Sequence, residues 1–100
     1  MKIAIDVMGG DNAPLAPVQG GVLAAKAYGE EVVLVGPEDK IRGLLKGQSA
    51  ENTPGISIVH APDAVDMHDD PAAVVHKRKN SSMIVGLKML ADGDADAFVS

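Results

Sequence analysis

Four short apolar runs punctuate the chain: Ile3-Ala4-Ile5-Asp6-Val7, Val32-Val33-Leu34-Val35-Gly36, Ile56-Ser57-Ile58-Val59-His60 and Asp96-Ala97-Phe98-Val99-Ser100. Each is short, rich in β-branched residues and closed by a polar or turn-forming residue, which is the pattern of buried strands. Between them the apolar positions take a helical period. Leu15, Val18, Val22 and Ala25 form one stripe, with Gly29 as a stop. Pro37 suits a first helical position, and Ile41, Leu44 and Leu45 supply an apolar face before Gly47. Residues 48–55 read as a polar loop. Asp70-Pro71 opens a short helix, and Ser81 or Ser82 caps another whose face is Ile84, Leu87, Met89 and Leu90, with Gly93 as its stop.

Strands alternating with helices imply right-handed crossovers and a parallel sheet covered on both faces. The expected fold is therefore α/β: a Rossmann-like, three-layer α/β/α unit with a mainly parallel sheet. No repeat, low-complexity tract or linker divides residues 1–100. The fourth strand ends the chain where such a fold normally continues into a loop and helix, so these residues read as the N-terminal part of a single longer domain, truncated after that strand.

Composition narrows the chemistry. With one Tyr and one Phe, the core is built from Ala, Val, Ile, Leu and Met, which suits strands buried on both faces. A net charge of −5 argues against a nucleic-acid partner, whose phosphates need a clustered cationic surface. The absence of cysteine excludes a disulfide scaffold, a thiolate metal site and a cysteine nucleophile. Asp6 interrupts the first apolar run too early for a signal peptide, and no stretch reaches the ~18 apolar residues of a transmembrane helix. The expected location is the cytoplasm.

Two loops carry candidate chemistry. The first, Asp6-Val7-Met8-Gly9-Gly10-Asp11-Asn12-Ala13-Pro14, leaves the C-terminal end of the first strand, the edge where open α/β sheets bind ligands. Gly9 and Gly10 allow the backbone to approach a ligand, and their N–H groups can form an anion-binding concavity. A tight turn in which Asp11 bonds local backbone explains the same residues. The spacing is neither a dinucleotide fingerprint nor a phosphate loop of the Walker type. The second loop is His76-Lys77-Arg78-Lys79-Asn80-Ser81-Ser82-Met83. Cations leading into a hydroxyl-bearing helix start can hold phosphate by charge, hydroxyl groups and backbone N–H groups together. Cations completing one helix and a serine capping the next explain it equally. A third cluster, His60, Asp63, Asp66, His68, Asp69 and Asp70, has donors that a metal would accept, but solvation and the capping role of Asp70 are the simpler reading, and no metal is expected. Met67, Met83 and Met89 are expected to pack.

In combination these segments resemble a known family. Residues Ile3 to Asp11 followed by Ala13-Pro14, then Val59-His60-Ala61, Asp70-Pro71, Lys77 to Met83, and Ala95 to Ser100 are similar, in the same order, to the N-terminal part of the bacterial phosphate acyltransferases of fatty acid and phospholipid synthesis. The resemblance covers the whole chain. It implies a fold like that of isopropylmalate dehydrogenase and phosphate acetyltransferase, with a cleft between subdomains and a homodimeric assembly. The reaction it implies converts acyl-[acyl carrier protein] and inorganic phosphate to acyl phosphate and free carrier protein, without a cofactor. The acyl phosphate then feeds glycerol-3-phosphate acylation at the membrane, so peripheral membrane association of the full-length protein is part of the expectation. Family members are much longer, and the 100-residue chain alone is expected to be inactive. One departure is His76, where the family usually has arginine.

Under that resemblance, Lys79, Ser81 and Ser82 are candidates for phosphate or oxyanion binding, with Asn80 beside them. Gly9 and Gly10 supply backbone N–H groups. Asp11 orders a cation or moves a proton, and Asp6 positions its loop from the strand end. Asp11, Lys79 and Ser82 are the catalytic candidates among these. The basic run from Lys77 to Lys79 also suits an acidic carrier protein. Two alternatives stay open: a phosphate acetyltransferase-like enzyme using acyl-coenzyme A, and a non-catalytic phosphate-binding module.

Overall fold

The computed structural model describes residues 1–8, 13–62 and 81–99. Four strands, β1 (Lys2–Asp6), β2 (Glu31–Gly36), β3 (Ile56–His60) and β4 (Ala97–Val99), form one sheet in the order β3-β2-β1-β4. Every pairing is parallel, with Ala4 opposite both Val33 and Phe98. Three helices complete the described unit: α1 (Leu15–Tyr28), α2 (Glu38–Gly47) and α3 (Ser82–Ala91). The expected Rossmann-like α/β architecture is thus present. The short helix read at Asp70-Pro71 lies outside the described residues, as do Gly9, Gly10, Asp11, Lys79 and Asn80 of the expected site.

The sheet is the central layer because its strands are apolar on both sides. Along β2, Val32 and Leu34 enter one cluster with Val18, Val22 and Ala25 of α1 and Ile41 and Leu45 of α2. The alternate residues Val33 and Val35 enter a second cluster with Ala4, Ala61 and Ala95, against which Val85 and Met89 of α3 and Phe98 of β4 pack. Alternation along a strand therefore sorts α1 and α2 to one face and α3 to the other. Each fully buried Val or Leu contributes roughly 1.5–3 kcal/mol relative to exposure, so β2 is the principal stabilising strand.

Helix ends explain where the boundaries fall. At the end of α3, Gly93 takes a left-handed backbone (φ 80°), its N–H reaches the Leu90 carbonyl (3.3 Å), and the Asp94 N–H reaches that of Met89 (2.8 Å). This pair of bonds satisfies carbonyls the helix leaves open. The end of α2 is built the same way, with Ser49 in the left-handed position (φ 53°) and bonds from Ser49 to Lys46 (3.0 Å) and Ala50 to Leu45 (2.8 Å).

Three details depart from the sequence reading. Pro37 is the cap of α2 and not its first helical residue, because its backbone is still extended (φ −62°, ψ 115°). Leu15 is 47% exposed, and Gly21 instead completes the buried stripe of α1 with Val18, Val22 and Ala25. The inner face of α3 is Ser82, Val85, Gly86 and Met89, whereas Met83, expected to pack, is exposed, as are Leu87 (44%) and Leu90 (39%), and Ile84 is only half-buried. The reason is close approach: the Gly86 backbone lies directly on the Phe98 ring, which rotates the helix away from its most apolar side.

Candidate functional site

The strand order fixes where a site can form. From β1 the chain steps to β2 and β3 on one side, then crosses back to place β4 on the other. The carboxyl ends of β1 and β4 therefore flank the point where the order reverses, the position at which open α/β sheets hold ligands. Asp6 stands at that end of β1, and α3 brings Ser82 to it on the face that carries Ala4, Val33 and Val35.

The two side chains meet. The Ser82 hydroxyl donates to Asp6 Oδ1, and the Met8 N–H donates to the same oxygen at 2.9 Å. Asp6 is 4% exposed and Ser82 2%. A buried carboxyl oxygen needs such donors, since an unmatched one costs about 1–3 kcal/mol, and more when charged. The Met8 contact is an Asx-type turn at the end of β1. The Ser82 contact spans 76 residues and anchors the first turn of α3. Ser81 is fully buried and acts as the expected cap, its Oγ accepting from the Ile84 N–H at 3.3 Å. Of the two loops read from sequence, the structure thus joins one end of the first to the end of the second. Both serine hydroxyls make bonds within the protein, in a buried polar floor at the carboxyl end of β1.

One contact has no counterpart in the sequence reading. His60, at the carboxyl end of β3, accepts the Glu38 N–H through Nδ1 at 3.1 Å. Pro37 has no side chain that can cap α2, and His60 does it from another strand. The missing Ser, Thr, Asp or Asn before Glu38 is the signal that an outside acceptor was needed.

A cavity of about 390 Å³ lies elsewhere, between α2 and β3, lined by Arg42, Leu45, Lys46, Ile56 and Ile58 among others. It contains neither Asp6 nor Ser82. The floor at the strand-order reversal is preferred as the site, because the sheet topology and a buried polar contact coincide there. No described helix is long and apolar enough to cross a membrane.

Fold and floor together define a Rossmann-like α/β unit in which the Asp6–Ser82 contact lies where the strand order reverses between β1 and β4. Its sequence is more specific. The profile of the fatty acid synthesis protein family matches residues 1–100, and the chain belongs to that family. It is similar along its whole length to proteins named phosphate acyltransferase: 48% identical to that of Thermotoga neapolitana, 44% to that of Aquifex aeolicus and 41% to that of Herpetosiphon aurantiacus. The chain spans 27%, 29% and 27% of those relatives respectively, which is under a third of their length.

Proposed function

We propose that the protein is a phosphate acyltransferase that converts acyl-[acyl carrier protein] and inorganic phosphate to acyl phosphate and free carrier protein. Its identity over all 100 residues to relatives bearing the name phosphate acyltransferase carries this reading. The buried contact of Asp6 with Ser82, where the strand order reverses, supports this location for the chemistry.

In the proposed reaction a phosphate oxygen attacks the thioester carbonyl carbon. A C–O bond forms, the C–S bond breaks through a tetrahedral oxyanion, and the thiolate departs with the carrier and takes up a proton. Phosphate is itself the nucleophile, so no covalent enzyme intermediate is required. The protein has to hold phosphate, orient it and stabilise the oxyanion. Lys79 supplies the charge, and Gly9, Gly10 and Asn80 supply backbone or amide N–H groups. Asp11 orders a cation or moves a proton. Ser81 and Ser82 hold the start of α3, and Asp6 holds the end of β1. The acidic carrier protein meets the basic run Lys77 to Lys79, in a homodimer that works in the cytoplasm at the membrane surface.

The test is thiol release from acyl-[acyl carrier protein], with and without inorganic phosphate, by this chain and by the longest natural form of the polypeptide. Phosphate-dependent release by the long form is the expected result. No release by either would sink the assignment. Release from acyl-coenzyme A but not from the carrier protein would move the enzyme to the phosphate acetyltransferase type.

A further inference from the structure

α3 is apolar around most of its circumference. Val85, Gly86 and Met89 lie against the sheet, and Lys88 is the helix's one charged residue. Met83, Leu87 and Leu90, spaced four and three apart, form a second apolar stripe, and all three are exposed. α2, by contrast, carries Glu38, Asp39, Lys40, Arg42 and Lys46. A helix with a second apolar stripe has the pattern of one covered on more than its inner side. Helix geometry and one contact give the direction of that stripe. At roughly 100° per residue, the order around the axis is Val85, Met89, Ser82, Gly86, Leu90, Met83, Leu87. Gly86 lies on the Phe98 ring of β4. The stripe continues the same turn beyond Gly86, so it faces past β4, along the helix layer and away from β2.

The topology says what belongs there. From β1 to β2 and on to β3 the chain moves one way across the sheet, with α1 and α2 on the face of Val32 and Leu34. From β3 to β4 it moves the other way, and α3 lies on the opposite face. Right-handed connections require that swap, since reversing the direction reverses the face. β4 pairs only with β1 among the described residues, so its outer edge is open. A connection from β4 to a strand on that edge continues in the β3-to-β4 direction, and right-handedness sets its helix on the face of α3, beside the stripe. The chain spans 27–29% of its relatives, so the long form has the polypeptide to supply that helix. We infer that Met83, Leu87 and Leu90 are a docking surface for the first helix after β4 in the long form, whose apolar face packs on α3 while the strand that follows it pairs with β4. This does not depend on the proposed reaction.

The test is made in the longest natural form of the polypeptide, in a background without other cysteines. Leu87→Cys and, as a reference on an exposed position of α2, Lys40→Cys are labelled with a maleimide. Leu87→Cys is expected to react about tenfold or more slowly than Lys40→Cys in the folded protein, and at the same rate in denaturant. Equal rates in the folded protein would overturn the docking surface. Leu90→Cys takes the place of Leu87→Cys if that variant does not fold. The occupant is then identified by irradiating Leu90→p-benzoylphenylalanine and mapping the crosslink by mass spectrometry. The expected product is intramolecular and lies within about 30 residues after β4, the span of one strand-helix-strand unit. A crosslink to a second copy, to residues 63–80 or to a more distant segment would overturn the assignment of that helix as the occupant.

Discussion

Gly86 lies in the middle of α3, where alanine would ordinarily stabilise a helix by roughly 0.5–1 kcal/mol. Here the sign is expected to reverse. A Cβ at this position would stand 2.1 Å from Phe98 Cε1, 2.6 Å from Cδ1 and 3.0 Å from Cζ. Carbon atoms pack best at roughly 3.5–4.0 Å, so ring and helix must separate by about 1.4 Å or more. The ring is rigid and packs against the cluster of Ala4, Val33 and Val35, so the movement is shared with β4 or with the whole helix. Overpacking of this kind costs roughly 1–3 kcal/mol, and the size of the overlap argues for the upper end. Subtracting about 1 kcal/mol of helix propensity leaves Gly86→Ala destabilised by about 2 kcal/mol. Urea unfolding followed by far-UV circular dichroism measures this as a fall in midpoint of about 1–2 M at constant slope. Gly43→Ala in α2 is the control: nothing lies within 4 Å of its Cβ, and a gain of about 0.5–1 kcal/mol is expected. Phe98→Leu should partly relieve Gly86→Ala, with a coupling of at least about 1 kcal/mol in a double-mutant cycle. A Gly86→Ala protein as stable as wild type would refute the packing of α3 on β4 described above.

Ser49→Gly should stabilise the protein by about 0.5–1 kcal/mol, because Ser49 holds a left-handed backbone (φ 53°) that glycine adopts without strain; a lower unfolding midpoint would contradict this. His60→Ala removes the acceptor for the Glu38 N–H and should cost about 0.5–1 kcal/mol, with exchange accelerated at the first turn of α2 and not at α1. Lys79→Ala in the long form should raise the phosphate KM by about tenfold or more in the thiol-release assay, and an unchanged value would remove Lys79 from the phosphate site.

Strands were legible where burial on both faces forces continuous apolar runs. The third run, Ile56–His60, coincides with β3, β1 lies one residue earlier than its run, β2 gains Glu31 at its start, and β4 begins one residue later than its run. The Gly29 and Gly93 stops were legible because a left-handed residue after a helix selects glycine. The inner face of α3 was not, because two of its residues are buried for reasons that hydrophobicity does not encode: Ser82 as a tether and Gly86 as a point of close approach. Reading the most apolar stripe instead chose Leu87 and Leu90, which face outward. In the candidate site, the residue types at the ends of both loops could be read from sequence. The bond between Asp6 and Ser82 could not, because nothing local records a contact across 76 residues. The His60 cap is hidden in the same way, 22 residues from its donor.

The pairing of β1 with β4 also sets the timing of assembly on the ribosome. Ile3 pairs with Val32 on one side and with Ala97 on the other. About 60 residues separate the end of β2 from the start of β4. At roughly 5–20 residues per second their synthesis takes about 3–12 s. Throughout that interval a nascent β1–β2 pair keeps an open strand edge, and the side of Ala4, Val33 and Val35 has no α3 to cover it. The emerging polypeptide is then a template for stray strand addition, and translation speed across this stretch governs how long molecular chaperones must shield it.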